Sequence, residues 1–209
     1  MTNPLDKIST VIIANGQFPT HPIPISCIEN ANFIVCSDGA ANEFIKKIGK
    51  PDAIVGDCDS ISEENRVRFA NIIFPNKEQE TNDLTKSVKF CIEKGLKEIV
   101  IVGGTGKRED HTLGNISLLT EYISSINVVM VTNWGIFTPI VTTTEFSSFA
   151  GEKVSIFSID KVKLTTENLK YSLNNRVLNN WWQGSLNTSL ADSFKIHTTG
   201  KTIIYQAYK

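Results

Sequence analysis

The stretch AIVGDCDS sets two aspartates, Asp57 and Asp59, one residue apart directly after a short apolar run and Gly56. Alternate side chains of an extended segment project to one side, so continued strand geometry would aim both carboxylates into one volume. Unpaired carboxylates held close together repel, and a hard cation relieves the repulsion. Mg²⁺ suits the pattern because it takes oxygen ligands and is commonly held by one or two carboxylates together with substrate phosphates. The plainer reading is that Asp59 caps a helix starting near Ser62 while Asp57 sits in a solvated turn. What favours the metal is the company: Asp38 follows FIVCS, Asp83 opens DLTKSVKF, and Asp110 stands a few residues beyond IVIVGG.

The complementary chemistry lies in GGTGKREDHTLGN, Gly103 to Asn115. Glycines such as Gly104 and Gly106 around Thr105 let a backbone pass close to a ligand, and a loop before a helix offers free N–H groups to phosphate oxygens. Lys107 and Arg108 add positive charge, and the guanidinium can clamp a phosphate through two parallel hydrogen bonds. The loop is not the GxxxxGK[ST] pattern, since Arg108 follows Lys107, and it is not GxGxxG. His111 offers a general base or, more simply, a helix-opening hydrogen bond. Lys86, three residues after Asp83, reads as an i,i+3 ion pair or as a cation reaching a phosphate. His21 and His197 lack partners in sequence. Trp181 and Trp182 read as core of a β module or as rings that stack on a flat cationic ligand.

Those residues need a frame. From Ser9 to about Thr132, short β-branched runs (TVIIAN, NFIVCSD, DAIVGD, NIIFP, EIVIVGG, NVVMVT) alternate with helical patterns in AANEFIKKIG, SEENRVRFA, DLTKSVKFCIEKGL and DHTLGNISLLTEYISS. The alternation predicts an α/β unit with a parallel, Rossmann-like sheet covered by helices. It also sets the aspartates outside the carboxyl ends of strands, where open α/β sheets bind ligands. After Trp134 the helical period disappears and short strands punctuated by Gly, Asn and Thr follow, predicting a second, all-β module of about 75 residues, a small sandwich or barrel. The expected division is 1–132 and 133–209.

A chain of 209 residues, 41% hydrophobic, can bury a sizeable core. Its 21 basic and 22 acidic residues nearly cancel and form no long run, which excludes the footprint of a general nucleic-acid binder and favours a small-molecule partner. Cys27, Cys36, Cys58 and Cys91 make no CxxC pair, so they read as small buried residues in a reducing cytosol. The opening MTNPLDKIST lacks a leader-like apolar run, and no segment approaches the roughly 20 apolar residues of a membrane helix. The expected setting is cytoplasmic, without membrane attachment.

The blocks SDGAANEF, PDAIVGDCDS, FPNKEQETNDLTKSV and GGTGKREDHTLGN, in that order and spacing, resemble the thiamine pyrophosphokinase (thiamine diphosphokinase) family; NLKYSLNN and GSLN match more loosely. Asn82 and Cys58 differ from residues common at those places. The resemblance implies an α/β catalytic domain followed by a β-sandwich, and Mg²⁺-dependent transfer of diphosphate from ATP to the hydroxyethyl oxygen of thiamine, giving thiamine diphosphate and AMP. It assigns Asp57, Asp59 and Asp83 to the metal, with Asp38 in the same cluster. Gly104, Thr105, Gly106, Lys107, Arg108, Asp110 and His111 fall to ATP, with Asp110 orienting it or assisting the hydroxyl, and Lys86 lies near the transferred group. Gln79, Ser185 and Asn187 become thiamine contacts, and the family's homodimer places active sites between the catalytic domain of one chain and the sandwich of the other. Two rivals share the motifs: a diphosphokinase for another alcohol such as a pterin, and a silent thiamine or nucleotide sensor.

Overall fold

Runs such as TVII and EIVIV are apolar at successive positions, so strands made from them must be covered on both faces. The computed structural model, which describes residues 9–209, covers them from both sides. β1 (Thr10–Ile13), β2 (Phe33–Ser37), β3 (Ala53–Gly56), β4 (Ile73–Pro75), β5 (Glu98–Val102) and β6 (Asn127–Val131) lie parallel in the order β6-β5-β1-β2-β3-β4. The two-residue period divides β1 between two cores. Val11 and Ile13 join Cys36 and Phe44 on one face, whereas Ile12 joins Leu84 and Leu119 on the other. α1 (Pro22–Glu29) and α2 (Ala40–Lys47) cover the first face; α4 (Asp83–Glu93) and α5 (Glu109–Tyr122) cover the second. Between β3 and β4, α3 (Glu63–Arg68) buries none of its residues.

Every strand candidate and helical pattern of the first half takes its expected form. α1 was hidden by its prolines. Pro22 and Pro24 both fall in the first turn, where backbone N–H groups have no intrahelical acceptor, so neither ring breaks a bond. His21 caps that helix, its Nδ1 accepting from the Ile23 N–H at 3.3 Å, and its ring stacks on Tyr208 with 4.5 Å between centroids.

The sheet does not stop at residue 132. TNWG makes a tight turn, the Thr132 N–H donating to the Gly135 carbonyl at 3.0 Å, and β7 (Gly135–Ile140) returns antiparallel along β6. β14 (Thr202–Ala207), β9 (Lys153–Ser158) and β12 (Asn187–Thr188) extend the same sheet to ten strands, in the order β12-β9-β14-β7-β6 and onward. A four-stranded antiparallel sheet of β11 (Arg176–Val177), β10 (Lys163–Glu167), β13 (Ser193–His197) and β8 (Thr144–Ser147) packs against its far half. Ile156 and Ile204 from the long sheet meet Leu164, Phe194 and Ile196 from the short one. Of the sandwich and barrel expected from the residues, the protein forms the sandwich.

Cys27, Cys36, Cys58 and Cys91 are all free and buried. Burial pushes the thiols of Cys27 and Cys58 up to about 11 and that of Cys91 to about 12, so they pack as small apolar groups. Among the described residues no helix is long and apolar enough to cross a membrane. Most of the opening stretch on which the no-leader expectation rested, residues 1–8, lies outside the described residues.

Candidate active site

β3 ends at Gly56 because nothing larger fits: a Cβ there would lie 2.7 Å from Asp38 Cβ and 3.1 Å from Asp83 Oδ1. That close approach gathers three acidic segments around one strand end. Beyond it the extended geometry assumed for Asp57 and Asp59 breaks, since Cys58 adopts a left-handed φ of 65°. The two aspartates share a site because the chain curls. The Asp59 N–H donates to Asp57 Oδ1 at 3.3 Å, and Arg66 of α3 donates a guanidinium N–H to the Cys58 carbonyl. Ser62, and not Asp59, caps α3, its hydroxyl accepting from the Asn65 N–H at 3.3 Å. One oxygen from each of Asp38, Asp57 and Asp59 lies within 4.8 Å of the others.

Asp38, only 3% exposed, carries an Oδ1 with no hydrogen-bond partner among the described residues. Burial, and then the charges of Asp83 and Asp57, push its pKa above the usual carboxylate value, while the Ser60 hydroxyl and the Gly39 N–H pull it down. A buried, orphaned carboxylate oxygen beside two more carboxylates is unfavourable, and a divalent cation would reverse the sign of the interaction. The donor set is all oxygen and fits Mg²⁺. Asp83 is not in the tight group: its Oδ1 accepts from Lys86 Nζ at 3.2 Å.

The cluster opens into a cleft of about 470 Å³ whose lining includes Asp38, Asp57, Asp59 and Asp83 together with Gly104, Thr105, Lys107, Arg108 and His111. The loop after β1 joins the glycine loop there, the Gly16 N–H donating to the Gly103 carbonyl and the Gln17 N–H to the Thr105 carbonyl, both at 2.7 Å. Gly106 has a φ of 88°, and a Cβ on it would strike Gln17 Cβ at 2.6 Å. This glycine is therefore demanded by loop packing, where ligand approach was the expected reason. Lys107 Nζ bonds the Asn15 carbonyl at 3.1 Å, while Arg108 Nε donates to Asp110 Oδ1 at 3.1 Å and Nη2 to Oδ2. That bond holds the Asp110 carboxyl below its usual range and makes it a poor proton acceptor. The His111 N–H bonds Asp110 Oδ1 at 2.9 Å, and His111 itself lines the cleft.

Other expected residues lie apart from the cleft. Lys86, 3% exposed, is committed to Asp83 and borders a separate cavity with Phe74 and Phe90 beside β4. Gln79 is exposed on the β4–α4 loop, its Nε2 donating to the Lys77 carbonyl at 3.2 Å. Ser185 and Asn187 line a cavity of about 410 Å³ in the sandwich, with Tyr171, Arg176 and Trp182. Asn15, Asn115 and Arg66 also belong to the site, though no motif marks them in the sequence. Asn15 follows the first strand and was open to the same strand-end rule. Asn115, whose Nδ2 donates to the Gly104 carbonyl at 2.9 Å, lay unremarked inside the glycine block. Arg66 gave no local signal, because its contact depends on where α3 packs.

Residues 25–130 match the family model described as thiamin pyrophosphokinase, catalytic domain, and residues 135–205 the one described as thiamin pyrophosphokinase, substrate-binding domain. Thiamin pyrophosphokinase 1 of Caenorhabditis elegans is 34% identical over 110 residues, covering 48% of this chain and 45% of that protein. Thiamine pyrophosphokinase 1 of Oryza sativa subsp. japonica is 32% identical over 148 residues, covering 59% and 55%. The chain thus spans about half the length of the curated relatives it matches. The solved thiamin pyrophosphokinase from Candida albicans superposes with a TM-score of 0.82 at 18% identity, over 99% of this chain and 90% of that one. The one from Bacillus subtilis superposes with a TM-score of 0.78 at 22% identity, over 96% and 99%; both likenesses speak to the fold.

Proposed function

We propose, because the chain belongs to the thiamin pyrophosphokinase family, that it transfers the diphosphate of ATP to the hydroxyethyl oxygen of thiamine, releasing AMP. The observation that carries the reading is the convergence of Asp38, Asp57 and Asp59, oxygens within 4.8 Å of one another, on a cleft whose other wall is the cationic glycine loop. Asp57 and Asp59 would hold Mg²⁺, with Asp38 in the same group and Asp83 bordering the cleft beside them. When bound, the ion supplies the positive charge that neutralises the phosphates during transfer. The side chains of Lys107 and Arg108 bind the triphosphate, and the free N–H groups of the loop and of the α5 N-terminus donate to its oxygens. Asp110 holds the Arg108 guanidinium in orientation. Most of the acceleration then comes from positioning and charge neutralisation.

Thiamine is assigned to Ser185, Asn187 and the aromatic surface of Trp182, with Gln79 on the catalytic side. β12, which carries Asn187, is seven strand positions from β2 in the long sheet. At about 4.8 Å per strand, that is some 30 Å along the sheet, too far for one thiamine to touch both regions of a single chain. The separation supports a homodimer in which the sandwich of one chain faces the cleft of another. Four free, buried thiols support a reducing, cytoplasmic setting. Incubation of the pure protein with ATP, Mg²⁺ and thiamine should yield AMP and thiamine diphosphate in equal amounts. AMP formed only with a pterin alcohol, or no AMP with any acceptor, would overturn the assignment.

A further inference from the structure

The helix between β3 and β4 has no apolar face to hold it where it lies. α3 spans six residues, Glu63–Arg68, and buries none of them. A helix of that length is not stable in water by itself, and no apolar stripe fastens it to the sheet. Ile61 and Phe69 are buried at its two ends, which leaves the rotation of the helix between them to polar bonds. Asn42, in the first turn of α2, supplies them from both ends of its amide. Its Nδ2 donates to the Ser60 carbonyl at 2.8 Å, while its Oδ1 accepts from the Ser62 N–H and from Asn65 Nδ2, both at 3.0 Å.

Fastened in this way, α3 turns Arg66 back toward the strand end, where its guanidinium donates to the Cys58 carbonyl. Cys58 stands between Asp57 and Asp59 at a left-handed φ of 65°, a conformation that a side chain disfavours. Repulsion between the two carboxylates also works against the curl. Both penalties apply before an ion arrives, and the Arg66 bond opposes them at the residue that joins the two aspartates. Ser60, whose carbonyl Asn42 fixes, donates its hydroxyl to Asp59 Oδ1 at 2.8 Å and so orients that carboxylate. We propose, on the reading of the acidic group as a Mg²⁺ site, that Asn42 and Arg66 are positioning residues for the cation: through α3 they keep the turn after β3 curled, so that Asp57 and Asp59 meet one ion. Neither ligates it, Arg66 being a cation itself and the Asn42 amide being committed to α3 and Ser60.

Charge and position predict opposite signs at Arg66. Removing a cation near the acidic group tightens metal binding if charge alone matters, whereas releasing the curl weakens it. Mn²⁺ takes the same oxygen ligands and can be titrated into nucleotide-free protein by electron paramagnetic resonance. Arg66→Met should weaken Mn²⁺ binding about tenfold or more, the scale for losing a residue that orients metal ligands, and the charge-neutral Asn42→Ala should weaken it likewise. Circular dichroism in chelator identifies folded variants, and Arg66, on a helix that buries nothing, is replaced without disturbing the core. Wild-type or tighter Mn²⁺ binding in either folded variant would overturn the positioning role while the metal site stands. A wild-type protein that binds no Mn²⁺ would remove the metal reading, and the role with it.

Discussion

The acidic cleft and the sandwich cavity treat their polar side chains in opposite ways. Among the described residues, Asp38 is buried with an oxygen left unbonded, beside two carboxylates whose hydrogen-bond partners lie in their own curl of chain. In the sandwich, Asn187 Oδ1 accepts from the Tyr171 and Thr188 N–H groups while Nδ2 donates to the Tyr171 carbonyl. Ser185 Oγ donates to the Trp182 carbonyl, and Gln183 closes a capping box with Asn180. One region keeps charge in reserve for a ligand; the other spends its hydrogen bonds on its own shape and offers Tyr171 and Trp182 as exposed aromatic surface. Groups that must change partners during a reaction cannot also be the ones holding the backbone still.

The contrast breaks if the aspartates prove structural. Asp57→Asn and Asp59→Asn should each lower kcat by about a hundredfold or more, the scale for removing one preorganised electrostatic group, with thermal midpoints near the wild type. Unchanged turnover in either variant would end the metal argument. The opposite behaviour is expected at Asn187→Ala, which strips three hydrogen bonds from a buried site and should cost about 2 kcal/mol in urea denaturation. Wild-type stability there would mean that the sandwich, too, holds groups in reserve.

A smaller effect sharpens the comparison at Asp38. Its folded-state pKa is raised from 3.8, so the folded protein holds this proton more tightly than the unfolded chain does. The associated stability is present below the ordinary carboxylate value and is lost as pH rises through the raised one. In Mg²⁺-free protein at neutral pH, Asp38→Asn should therefore raise the melting midpoint, by roughly 2–4 °C for each kcal/mol of repulsion relieved. The advantage should fade in acid and shrink when Mg²⁺ is added, because the ion favours the charged wild-type cluster. A variant less stable than wild type in chelator would show that the carboxylate is not in conflict with its surroundings.

Much of the α/β half was legible because its signals are local. Six apolar runs and the helical periods between them needed no partner to be recognised, and GDCDS sits directly at the end of β3 while NDLTK and GKREDH lead into α4 and α5. The reasons behind the geometry were less accessible. Asp57 and Asp59 converge through a left-handed Cys58 held by Arg66, a contact set by the docking of α3. α1 was concealed because proline is read as a breaker, although two prolines in a first turn break nothing. In the sandwich, residues 169–190 pair through two-residue strands and the Leu169–Ser189 bridge, across separations that leave no period to detect. The continuation of the sheet past residue 132 depends on the register of β7 against β6, which neither strand announces alone.

The order of the long sheet also schedules its assembly. β7 and β9 are not neighbours; β14, which follows both in the chain, fills the slot between them. During synthesis at about 5–20 residues per second, β1 to β6 and their acidic loops can pair while β7 and β9 still present open edges. Unpaired edges invite pairing with other chains. The hazardous interval on the ribosome therefore runs from the emergence of Ser158 to that of Thr202, and one late strand ends it by zipping both edges at once.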